Sequence, residues 1–206
     1  MSNPGILAQR RHTVEPIDPL LWSTTEKTAG WSVAGGQKTA TRGGSGVQNL
    51  ASTLYRSSGR KYCEVGLNSG AGGTNAYDPS IHVCGVGFGP TLTNLPGSGS
   101  SSWALLRSGT VRFSSANSAY QVGWGNGSVI GIAVDFSTGE LWFSVNGSWV
   151  GGGSPGAGAT AAFTGIAEAV RPAVAANAGT ASVTIRGTAA EFSYPIPDGF
   201  TAWSVP

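Results

Sequence analysis

Charge is scarce in this chain. Asp, Glu, Lys and Arg supply 11% of its 206 residues and leave a net charge of +2, where about a quarter charged is usual for a folded domain. So small a balance gives neither the basic stripe that nucleic acid requires nor a polybasic patch for a membrane surface, and Arg10-Arg11 is too small a cluster to supply one. Histidine and cysteine occur twice each, at His12, His82, Cys63 and Cys84, not clustered at ligand spacing, so no metal is expected. No acid-rich loop offers calcium ligands. Gly85-x-Gly87 is followed by Pro90 and opens no helix, so the dinucleotide fingerprint is incomplete and no cofactor is expected. No apolar run approaches the ~20 residues of a membrane span. No long segment has a 3.6-residue apolar period, which argues against helical architectures. The opening residues MSNPGILAQRRHTVEP lack a charged-then-apolar leader, so synthesis and first folding in the cytoplasm are expected.

Catalytic constellations are missing as well. Gly152-Gly-Ser154-Pro-Gly156 fits the G-x-S-x-G pattern of serine hydrolases, but that nucleophile needs a strand-to-helix turn and a later histidine, and none follows His82. Glycosidases on sandwich folds need two carboxylates facing one cleft, which on one strand means acids two positions apart. No two of the ten acids are so spaced. Glu64 lies mid-strand beside Tyr62 and is read as a hydrogen-bonded or solvated acid. No catalytic residue is expected, and the chain is read as a non-enzyme.

What the chain does hold is glycine, 33 residues of it, and a period of two. The clearest stretch is Gly127 to Gly152, GSVIGIAVDFSTGELWFSVNGSWVGG. Ile130, Ile132, Val134 and Phe136 alternate with the opposite face, as in a strand. Ser137 to Glu140 forms a four-residue turn. Pairing Phe136 with Leu141 then sets Val134 opposite Phe143 and Ile132 opposite Val145, so every pair on that face is apolar. Asn146-Gly147 is the strongest short hairpin signal, because both central residues take positive φ. Phe143 and Val150 share the first face; Trp142 and Trp149 fall on the other. Further strands are expected around Trp22, Trp31 and 39–41, and over 52–56, 62–67, 81–88, 103–107, 110–113, 120–123, 171–175, 181–186 and 192–194. Cys63 and Cys84 each sit among apolar neighbours in such strands. If those strands are adjacent the sulfurs approach one another, but with no secretory leader two buried, reduced thiols are expected.

These motifs carry a family resemblance. Ile130-Gly-Ile-Ala-Val-Asp-Phe136 followed by Leu141-Trp-Phe-Ser-Val-Asn-Gly147 resembles the central signature of the SPRY (B30.2-like) domain. Ser58-Gly-Arg-Lys-Tyr62-Cys-Glu64-Val65, the Ile81–Phe88 strand, Pro172-Ala-Val and Pro197-Asp-Gly-Phe200 are similar to further family motifs, so the likeness runs from about residue 21 to 205. Ile185-Arg-Gly-Thr188 departs from the family's usual N-F-G. The run LWFSVNGSW with its following Gly/Ala loop is most similar to the SPRY-like proteins of bacteriophages and bacteria. The resemblance implies an all-β, antiparallel, concanavalin-like sandwich over residues 22–206 that recognises partners through loops at one end. It also implies a bacteriophage virion component, either a capsid decoration or a tail, fibre or baseplate protein, oligomeric within its assembly and located in the virion. The alternatives are a lectin-like binder of host-surface protein or glycan, and an intracellular bacterial adaptor.

Residues 1–21 stand apart, with Pro4, Pro16 and Pro19 and no period. They are read as an extended arm. Its apolar Ile6 and Leu7 beside Arg10 and Arg11 suit contact with another virion subunit. Among the loops, Tyr77, Asp78 and Trp103 are the candidate partner contacts, since aromatic residues at loop edges anchor interfaces.

Overall fold

The computed structural model describes residues 17–70, 80–85, 95–177 and 179–206. Two sheets face each other across one apolar core. The first runs β1 (Trp22–Lys27), β4 (Gln48–Ser52), β13 (Val170–Ala176), β6 (Ser80–Gly85), β7 (Ser102–Leu106), β8 (Thr110–Phe113) and β9 (Ala116–Ala119). The second runs β12 (Ser148–Trp149), β11 (Glu140–Val145), β10 (Val129–Asp135), β5 (Arg60–Ser69), β14 (Ala181–Arg186), β3 (Thr39–Arg42) and β2 (Trp31–Ala34). All these pairs are antiparallel; β15 (Thr201–Ala202) adds a short parallel contact to β5. The all-β sandwich expected from the alternation is the fold found.

The central hairpin keeps its faces but not its register. Val134 opposes Leu141, Ile132 opposes Phe143 and Ile130 opposes Val145, two residues away from the expected pairing. The turn begins one residue earlier because Asp135 caps it. Its Oδ1 accepts from the Ser137 backbone N–H at 2.8 Å and from Oγ at 2.5 Å. Gly139, at φ 70°, supplies the left-handed residue that closes the turn onto Asp135. A shift of two preserves parity, so the apolar set still enters the core. Asn146 and Gly147, at φ 51° and 76°, make the expected two-residue turn with Val145 opposite Ser148. Val150 lies just past the two-residue β12 and is only half-buried.

Other expectations move. The strand placed at 52–56 lies earlier, at Gln48–Ser52, and residues 53–56 leave the sheet. Residues 120–123 form no strand. Instead β8 turns back into β9 through Ser114 and Ser115, at φ 47° and 67°. Residues 192–194 are not a strand either; a 3₁₀ turn at Ala189–Glu191 precedes them. Leu20 is fully buried and its N–H donates to Ser204 Oγ at 3.1 Å, so the sandwich begins before Trp22. Cys63 faces the main core from one sheet, while Cys84 lies in the other sheet with Ala51 and Ala173. Both are free and buried, and burial pushes the Cys84 thiol up to about 12. No helix among the described residues is long and apolar enough to cross a membrane.

Candidate recognition cleft

At the end of the sandwich where β7, β11 and β5 finish and β10 begins, three connections converge on a cleft of about 680 Å³. Arg107 and Ser108 come from the β7–β8 turn, Val122 to Gly125 from the loop before β10, and Asn146 from the β11–β12 turn.

Backbone hydrogen bonds fix this geometry. The Trp124 N–H donates to Arg107 O at 3.0 Å and its indole Nε1 to Leu106 O at 3.0 Å. Trp124 is therefore a buried post, 6% exposed, that holds the loop against β7. Gln121 N–H donates to Gly109 O at 2.8 Å, and Gln121 Nε2 reaches Ser148 O at 3.0 Å. Gly109 is required there: at φ 85°, a Cβ would sit 1.9 Å from Gln121 O. Asn146 Oδ1 accepts from the Val129 N–H at 2.8 Å, which ties the third turn to β10. Behind the cleft, the Tyr120 hydroxyl donates to Thr160 O at 2.8 Å, and burial pushes its pKa up to about 12. On this braced rim Val122 is 68% exposed. A clamped backbone that holds an apolar side chain into water beside Arg107 and several hydroxyls has the anatomy of a contact surface.

The residues singled out from sequence fall differently. Ile6, Leu7, Arg10, Arg11, Tyr77 and Asp78 lie outside the described residues. Trp103 is not at a loop edge. It belongs to β7, is 4% exposed, and stacks on Phe113 with centroids 5.6 Å apart and planes 4° from parallel. The Gly/Ser run before it ends one residue earlier than a loop would need, so its ring enters the core. Val122, Arg107 and Trp124 carried no motif, and what unites them is tertiary.

Glu64 is a buried structural anchor. Its carboxylate accepts from Tyr62 Oη at 3.0 Å and from the N–H groups of Ser193 and Tyr194 at 2.8 and 2.9 Å. Arg186 Nη1 stands at 3.5 Å. Four donors on one carboxylate pin the C-terminal segment across β5. Ser154 sits in a tight turn, its N–H on Ala157 O at 3.2 Å, rather than at a strand-to-helix elbow. Among the described residues no three His, Cys, Asp or Glu side chains gather as a metal site.

A sandwich whose connections build a braced, partly apolar cleft at one end defines a binding module. The family model described as SPRY domain matches residues 60–189, more than half the chain, and the chain belongs to that family of protein-interaction modules. Among solved structures, the SPRY domain of human HERC1 superposes with a TM-score of 0.64 at 15% identity, over 80% of this chain and 96% of that one. A human SPRY domain gives 0.57 at 19% identity, over 76% and 94%. Stonustoxin gives 0.58 at 19%, over 81% of this chain but only 26% of its own. At such identities the likeness is one of fold. No curated protein matches the chain.

Proposed function

We propose that this chain is a non-enzymatic recognition module that holds a partner protein in the cleft between the 107–109, 120–128 and 146–148 connections. The observation that carries the reading is Val122, which is 68% exposed on a loop whose flanking residues Gln121 and Trp124 are both hydrogen-bonded to β7 and its turn. Val122→Asp puts a charge where the partner's apolar surface would sit. The expected outcome is at least a tenfold loss of partner affinity with an unchanged thermal midpoint. Unchanged affinity would place recognition elsewhere.

The bacteriophage-like character of 141–162 supports a location. The chain is a virion component, a capsid decoration or a tail, fibre or baseplate protein, made in the host cytoplasm and oligomeric within its assembly. Residues 1–16, which include Ile6, Leu7, Arg10 and Arg11, anchor it to neighbouring subunits, and the sandwich faces outward. Deleting residues 2–16 is expected to abolish particle incorporation while leaving the midpoint of the sandwich nearly unchanged. Normal incorporation of the truncated chain, measured in purified particles, would sink the anchor.

A further inference from the structure

A second concavity, of about 250 Å³, lies on the outer face of the β5–β10–β11–β12 sheet, where the C-terminal segment crosses it. Tyr62 forms its floor, buried and held by its hydrogen bond to Glu64. Trp149 forms one wall, with its ring centroid 6.3 Å from that of Tyr62 and tilted by 59°. Tyr194 packs against Gly147, where a Cβ would come within 2.5 Å of the ring. Asp198 and Ser154 stand on the rim. Neither side chain makes a hydrogen bond or an ion pair among the described residues.

We propose that this groove binds one neutral pyranose unit of a glycan. A pyranose has an apolar C–H face and a belt of hydroxyls. The half-buried rings of Trp149 and Tyr194 match the first, and the Asp198 carboxylate with the Ser154 hydroxyl on the rim matches the second. A wholly apolar ligand would strip water from Asp198 and Ser154 without replacing their hydrogen bonds. An acidic sugar would be repelled by Asp198. The groove is preorganised, because Glu64 fixes both Tyr62 and the backbone of Ser193 and Tyr194.

The groove shares the β11–β12 turn with the end cleft but none of its lining residues, so substitutions at distinct residues test the two. The full chain is screened on an array of oligosaccharides that bear neutral hexoses and N-acetylhexosamines, and hits are titrated with their methyl glycosides by tryptophan fluorescence. The expected result is binding that weakens at least tenfold in Trp149→Ala and in Asp198→Asn, and that persists in Val122→Asp. Asp198 is exposed and makes no ion pair among the described residues, so Asp198→Asn keeps the test valid even if Trp149→Ala fails to fold. No glycan bound, capture of a peptide in the groove instead, or full affinity in a folded Asp198→Asn would each overturn the proposal.

Discussion

Phe143→Ala is expected to lower the stability of the sandwich by about 3–5 kcal/mol, the cost of a large cavity where the surroundings relax only in part. The side chain is fully buried and is the second sheet's end of an aromatic path that joins the two sheets. Trp103 stacks on Phe113, Phe113 tilts against Phe163 at 6.3 Å, and Phe163 meets Phe143 edge-on at 6.5 Å and 86°. Phe163 has little room to fill the void, because its backbone is clipped to Leu141 by paired hydrogen bonds of 3.0 and 3.2 Å. Urea unfolding of the variant checks this, with the denaturant slope unchanged. A loss below about 1 kcal/mol would mean that the two sheets are not coupled through these rings.

Acid is expected to destabilise the fold well before its carboxylates titrate. His82 is fully buried on the outer face of the first sheet. Burial, and then the positive charge of Arg171 on neighbouring β13, lower its pKa from 6.5 to about 3. The folded chain therefore holds a neutral imidazole, whereas the unfolded chain takes up a proton near pH 6.5. The stabilisation is complete above that pH and is lost as pH falls from 6.5 toward 3. The interval sets a ceiling of about 5 kcal/mol, with about 3 kcal/mol gone by pH 4.5. Arg171 itself stays charged, paired with Glu26 through two N–H groups and lying 4.4 Å from the Tyr55 ring centre. The Arg171 hydrogen bond holds Glu26 below its usual 4.5 against the opposing effect of burial. Burial raises Asp135 and Glu191, but hydrogen bonds outweigh it, so both end below their ordinary values of 3.8 and 4.5. These three carboxylates thus retain their contributions until the pH drops below those values, and the window from 6.5 to 4.5 belongs to histidine. Denaturant midpoints measured across that window should fall steeply in the parent chain and stay nearly flat in His82→Gln. Equal slopes in the two proteins would refute the assignment.

The sequence spoke most clearly where backbone chemistry leaves few choices. Asn146-Gly147 demanded a two-residue turn and formed one. The alternation from Ile130 to Val145 named the buried face correctly, and it did so despite a register two residues out, because parity is blind to a shift of two. What displaced the register was a side chain, the Asp135 carboxylate, which competed for the first N–H of the turn. Strand β9 was hidden for the converse reason. Ser114 and Ser115 occupy left-handed conformations that serine rarely marks in sequence. Trp103 was misplaced because a Gly/Ser run was taken to extend to it, and the strand starts at Ser102. The cleft could not be read in advance: residues 107, 122 and 146 are far apart in the chain and meet only when β7, β10 and β11 are in place. Glu64, by contrast, was legible as a satisfied acid, although its partners at 193 and 194 lie about 130 residues away.

The claim at the centre of this account is that the 107–125–146 end of the sandwich is the face that meets a partner protein. It is tested most directly by placing a photocrosslinking amino acid at Val122, and separately at Thr138 in the β10–β11 turn at the opposite end, in cells or particles that contain the protein. Irradiation should join one defined protein to the chain from position 122 and not from position 138, and Asn146→Asp in the same cleft should weaken that adduct. Adducts that form equally from both ends, or from position 138 alone, would contradict the assignment of the recognition face.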